Sequence, residues 1–139
     1  MTRTNEITRD SALSTVTRYL ATIADATSSD QIASLYVEGA TVEDPVGSAA
    51  LCGKDAIAHF FKPLIESRRE TELLNFRHSG NSVAFHFLVR TYTADGVVEI
   101  EPFDVMTLDG DGLITSTKAY WSPEDVRMSR GADDSSEKI

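Results

Sequence analysis

The hydrophobic period of this chain changes once, near Arg69, and that change limits the folds open to it. Before it, Leu13, Val16, Leu20 and Ile23 recur at helical spacing and predict an amphipathic helix over about Thr8 to Thr27, with Tyr19 at the edge of the stripe. Ser28, Ser29 and Asp30 offer capping side chains for a short second helix running through Ile32, Leu35 and Tyr36. A third helix is expected after Gly53, with Ile57, Phe60, Phe61, Leu64 and Ile65 inward and a kink or early end at Pro63. After Arg69 the period becomes two. Leu74 and Phe76 alternate in one segment, and Val83, Phe85, Phe87 and Val89 in the next. Ser79-Gly80-Asn81, Ala94-Asp95-Gly96 and Asp109 to Gly112 carry turn chemistry between strands. Helices followed by a meander of about four antiparallel strands define an α+β chain, with three helices covering one face of a curved sheet.

At 139 residues the chain suits one domain with a sizeable core. Residues 1–128 are read as that domain, and the polar, aperiodic run SRGADDSSEKI, residues 129–139, as a mobile tail. Thirteen Lys and Arg against 22 Asp and Glu give a formal charge of −9, which disfavours nucleic acid and anionic membranes as partners. The single cysteine, Cys52, excludes an intrachain disulfide and fits a reducing compartment. With no signal-like N-terminus and no apolar run near 20 residues, the expected location is cytoplasmic.

Strand phase singles out two acids. Within Val97 to Leu108, the even positions are Val98, Ile100, Pro102, Asp104, Met106 and Leu108. Asp104 therefore shares a face with five apolar residues, where an unpaired carboxylate tends to stay protonated. A partner Arg from another element would be the plainer explanation. In ATVEDPVGS, Asp44 shares the phase of Ala40 and Val42 and precedes Pro45. On these residues alone an Asp-Pro turn explains it as well as catalysis does. Two in-phase acids facing one apolar cavity can, however, have their pKa values pushed apart into an acid and a base.

Four stretches, TRYLATI, LYVEGATVEDPVGS, EPFDVMTLDGDGLI and KAYWS, resemble the Δ5-3-ketosteroid isomerases, in family order over about Thr17 to Ser122. These are small enzymes of the cone-shaped α+β fold shared with nuclear transport factor two and scytalone dehydratase. The resemblance implies a catalytic trio: Asp44 as general base, with Tyr19 and a protonated Asp104 as oxyanion-hole donors. It also implies an aromatic wall at Trp121, a substrate pocket that includes Tyr36, Phe61, Phe87 and Met106, a steroid-like ligand, and a homodimer formed through the sheet. No cofactor or metal is implied. Ordinary core packing is the alternative for Trp121. The family frequently has three hydrogen-bonded tyrosines; Tyr19 and Tyr36 match two of them, and Phe61 stands at the third without its hydroxyl.

The competing expectations are a steroid or lipid binder that does no chemistry, a polyketide cyclase and an epoxide hydrolase. The last resembles an Asp-Arg-Asp arrangement, but Arg90 is in phase with His86, opposite the apolar face. His59, His78 and His86 have no metal-motif spacing. The Asp109 turn lacks the later ligands of a calcium loop, with Leu113 and Tyr120 in their places.

Overall fold

The computed structural model describes residues 7–130. Residues 131–139, most of the expected tail, lie outside them, as do residues 1–6. The first helix, α1 (Arg9–Asp25), starts where the Thr8 hydroxyl accepts the Ser11 N–H at 3.0 Å. Its buried stripe is Ala12, Val16, Tyr19, Leu20 and Ile23. Tyr19 thus sits in the stripe rather than at its edge, while Leu13 is exposed. The short α2 (Ser29–Ala33) starts where Gln31 Oε1 accepts the Thr27 N–H at 2.7 Å. It stops before Tyr36, which opens β1 (Tyr36–Glu43) instead of closing a helix. A two-residue β2 (Leu51–Cys52) pairs with β1. Then α3 (Lys54–Ile65) buries Ile57 and Phe61 and runs two residues past Pro63. Phe60, expected inward, is exposed.

The remaining strands are β3 (Arg68–Ser79), β4 (Ser82–Thr93), β5 (Gly96–Ile100), β6 (Phe103–Leu108), β7 (Ile114–Tyr120) and β8 (Val126–Ser129). The described residues form one eight-stranded sheet, against the four strands expected. One edge of β4 pairs along its length with β3. Its other edge pairs with β6 through residues 82–86 and with β5 through 89–93. Then β7 joins β6 antiparallel to β1 in parallel, a pairing across the chain that alternation cannot announce. Ser129 pairs with Val97, so ordered backbone reaches one residue into the expected tail. Gly96 permits that pairing, because a Cβ there would collide with the Ser129 carbonyl.

A bulge corrects the expected alternation of β3. The register steps from Leu73↔Phe87 to Asn75↔His86, leaving Leu74 unpaired and exposed while Leu73 and Phe76 face inward. The inner face packs against the helices, as where Tyr19 meets Phe85 edge-on at 6.2 Å. Arg69 fixes the helix ends to the sheet. Its guanidinium donates to the carbonyls of Ile23 and Ala26 at the end of α1, and of Ile65 and Ser67 at and just past the end of α3, at 2.7 to 3.1 Å. No helix among the described residues is long and apolar enough to cross a membrane.

Candidate active site

Between the helices and the inner face lies a cavity of about 260 Å³. Ile23 of α1 and Phe61 and Leu64 of α3 form one wall, and Phe87, Val89 and Ile100 of the sheet the other. Phe60 stands at the solvent edge. Tyr19, Asp44, Asp104 and Trp121 also border this space, so five polar side chains, counting Thr91, interrupt an otherwise apolar lining. Such a cavity suits a largely apolar molecule with one or two polar groups.

Each of the two acids is held by strand geometry. Asp104 lies in β6 opposite Phe85 of β4 and Ala119 of β7, all pointing inward. The expected phase holds on both sides of a break at Glu101-Pro102, because Pro102 itself is buried. Only 2% of Asp104 is exposed, and its Oδ1 has no hydrogen-bond partner. Burial, followed by the nearby charge of Asp44, pushes its carboxyl well above the usual range. The protonated form is the one this site accommodates.

Asp44 follows the last residue of β1, and a cis peptide joins it to Pro45. Its backbone makes the expected turn, and its side chain reaches the cavity. Trp121 Nε1 donates to Asp44 Oδ1 at 2.7 Å. The bond spans 77 residues of chain. The resemblance implies only an aromatic wall for Trp121, with core packing as the alternative, so this bond was not expected. Burial raises the Asp44 pKa, and the indole N–H opposes that rise by stabilising the carboxylate. The two acids thus differ: one anion has a donor, the other has none.

Tyr19 is 5% exposed, and burial, then the neighbouring Tyr36, Asp104 and Asp44, pushes its phenol well above its ordinary value. Tyr19 is therefore a neutral donor. Of the other residues expected at the pocket, Phe61, Phe87 and Trp121 line it. Tyr36 and Met106 do not. Both are wholly buried behind the lining, so neither presents surface to a ligand. Ile23, Leu64, Val89, Ile100 and Pro102 were not anticipated as lining residues. Val89 and Ile100 could have been found from their shared phase with Phe87 and Asp104.

Asp109 accepts the N–H groups of Asp111 and Leu113 at 2.9 Å, which closes its own turn. Arg90 lies on the outer face, bonded to Glu99 at 2.6 Å and Glu70 at 3.0 Å, and among the described residues no arginine lines the cavity.

An α+β fold with an apolar pocket between its helices and curved sheet is the construction of the nuclear transport factor two-like proteins. Residues 16–117 match the SnoaL-like domain family. A steroid delta-isomerase of Nocardioides simplex is 44% identical over 111 residues, 80% of this chain and 89% of that protein. Among solved structures, the epoxide hydrolase/cyclase-like enzyme SalBIII, described in pyran ring formation in the polyether salinomycin, superposes with a TM-score of 0.78. It is 25% identical, covering 86% of this chain and 97% of its own. RV0760c from Mycobacterium tuberculosis shares the fold at TM-score 0.78 and 18% identity, over 89% of this chain and all of its own. The chain belongs to the SnoaL-like family and, within it, to the family of the steroid delta-isomerases.

Proposed function

We propose that this protein is a steroid delta-isomerase that moves the double bond of a 5-ene-3-ketosteroid into conjugation, giving the 4-ene-3-ketosteroid. The observation that carries the reading is the unequal treatment of two acids in one apolar cavity. Asp44 has the Trp121 N–H to stabilise its anion, whereas Asp104 is buried with an unpartnered oxygen. That inequality supports a base and a neutral donor.

With the 3-keto oxygen between Tyr19 and Asp104, the carboxylate of Asp44 removes a proton from C4. The C–H electron pair forms the C3–C4 double bond, and the carbonyl pair moves to oxygen, giving a dienolate. Tyr19 and protonated Asp104 donate hydrogen bonds to that oxygen as charge accumulates. Asp44 then delivers the same proton to C6: the C5–C6 π pair binds it, the C3–C4 π pair becomes the C4–C5 double bond, and the oxygen pair re-forms the carbonyl. The apolar walls keep water from competing for the proton.

The kinship with SalBIII makes a cyclase or hydrolase the second reading. The absence of an arginine among the described lining residues disfavours the Asp-Arg-Asp form of hydrolase. For the assembly, we propose a homodimer through the outer sheet face, where Phe103 and Tyr120 pair side by side and are 53% and 47% exposed. Phe103→Glu should then halve the sedimenting mass.

The deciding experiment follows enone absorbance in the ultraviolet after mixing the protein with a 5-ene-3-ketosteroid. Growth is expected with the native chain and should vanish with Asp44→Asn. A flat trace from native protein that binds a phenolic steroid tightly would replace the isomerase reading with that of a binder.

A further inference from the structure

Of the five polar side chains on the cavity, four gather at one end. Asp104 and Tyr19 both meet Phe85 of β4, the first as its partner across the sheet and the second edge-on at 6.2 Å. Asp44 follows β1 and Trp121 follows β7, strands on the Asp104 side of the sheet, and their side chains are bonded to each other.

Thr91 is the fifth, and it stands apart. It lies on β4 in phase with Phe85, Phe87 and Val89, where the strand has left β6 and pairs with β5. At about 3.3 Å per residue, Thr91 is roughly 20 Å along the strand from Phe85, and less across the curve of the sheet. The described wall between them is apolar: Phe87, Val89 and Ile100.

The hydroxyl of Thr91 is also unspent. Other threonines in this part of the sheet use theirs within the fold. Thr71 donates to the Leu20 carbonyl at 2.9 Å, and Thr93 to the Gly96 carbonyl at 2.8 Å. Among the described residues, no hydrogen bond engages the Thr91 hydroxyl, and the residue is half-buried at the cavity surface. Arg69 stands directly across from it on β3, but each nitrogen of that guanidinium already donates to a backbone carbonyl. Thr91 is therefore the group that can reach a ligand oxygen at this end.

A cavity that is apolar along its length and polar at both ends fits a rigid apolar molecule with an oxygen at each end. A steroid held by its 3-keto oxygen between Tyr19 and Asp104 carries its last ring toward Thr91. We propose that Thr91 is a specificity-determining residue, whose hydroxyl bonds an oxygen on C17 and so favours 17-oxygenated steroids over those with bare hydrocarbon there. This rests on the reading of the cavity as the site of a steroid isomerase.

Such a bond is far from the reacting carbons and is made equally in the ground and transition states, so it acts on KM and not on kcat. The test measures both constants for two 5-ene-3-ketosteroids, one with a 17-keto group and one with only hydrogen at C17. Native protein, Thr91→Val and Thr91→Ser are compared. Thr91→Val should raise KM for the 17-keto substrate about fivefold, the worth of one neutral hydrogen bond, with kcat unchanged. Its KM for the 17-deoxy substrate should stay at or below the native value, and its Tm should not fall, because valine suits a strand. Thr91→Ser should keep the native discrimination.

The proposal is overturned if Thr91→Val raises KM equally for both substrates, which would make Thr91 a matter of wall shape, or for neither. Serine as poor as valine would overturn it, and so would a loss confined to kcat. If the native protein isomerises neither substrate, the isomerase reading fails by itself. The Kd values of phenolic steroids with and without a 17-keto group, measured on the same variants, then decide the role of Thr91. Failure of native protein to bind either phenolic steroid would end both readings.

Discussion

On the outer face of the sheet, Glu70, Glu99 and Glu101 meet Arg90 and Arg127 at 2.6 to 3.0 Å; on the inner face, Asp104 meets no cation among the described residues. The outer carboxylates are held below their usual range: Glu99 chiefly by its bond from Arg90, Glu101 by Arg127, Glu70 by Tyr92 and then Arg90. The inner acids move the other way, both raised by burial. The same strands serve both faces. In β4, Phe87 and Val89 face the cavity and His86, Leu88 and Arg90 face out. Charge is thus neutralised where water could have solvated it and left unpaired where water is scarce. That arrangement is poor for stability and suited to proton transfer.

The most severe way to break this contrast is to remove the proposed base. Asp44→Asn should reduce kcat by about 10²–10⁴ while steroid affinity changes little, because the amide keeps the shape of the wall. Equal losses in kcat and affinity, read from steady-state kinetics and ligand titration, would mean that Asp44 builds the pocket without acting in the chemistry. Next in size is Asp104→Ala, expected to cost about 10²–10³ in kcat through the lost donor.

Asp104 also gives the contrast a thermodynamic test. Its native pKa is raised, so the unfolded chain loses its proton first, near the ordinary aspartate value of about 4. Stability contributed by the protonated group is complete below that pH and declines as pH rises toward the native value. Asparagine does not titrate. Asp104→Asn should therefore melt progressively higher than the native protein as pH goes from about 4 to 7. Parallel Tm curves would show that Asp104 is not protonated in the fold.

A subtler change concerns how the proposed base, Asp44, keeps its carboxylate form. Trp121→Phe keeps an aromatic ring but removes the N–H that favours the carboxylate. With that opposing effect gone, burial raises Asp44 further, and the acid limb of the kcat/KM profile should move to higher pH. The loss should be concentrated at low pH and small on the alkaline plateau. A uniform loss at every pH would assign Trp121 to substrate packing instead.

The sequence made some of this legible and hid the rest for identifiable reasons. The inward face of Asp104 is legible because the apolar even positions from Val98 to Leu108 stay in phase across Pro102. Asp44 at the end of β1 is legible for the same reason, through Ala40 and Val42. Parity fails where the chain gains a residue, as at Leu74, since a bulge shifts every side chain beyond it. Pairings between distant segments leave no periodic trace, so β1 beside β7 and Trp121 on Asp44 emerge only from the fold. Met106 has the right phase yet no contact with the cavity, because phase assigns a face and not a depth.

The smallest expected effect lies on the outer face, and it tests whether the two faces are independent. Arg90→Met removes the cation shared by Glu70 and Glu99, but Arg127 still holds Glu99, and Tyr92 and Arg68 still hold Glu70. Partly exposed pairs of this kind contribute little and are screened by salt. The variant should melt no more than about 4 °C lower, with the deficit shrinking at high ionic strength. Turnover should be unchanged, because the Arg90 side chain projects away from Phe87 and Val89 and the backbone of β4 is fixed on both edges. A large fall in kcat with intact folding would mean that the outer ion pairs set the position of the cavity wall, and the division of the sheet into a stabilised face and a chemical face would not stand.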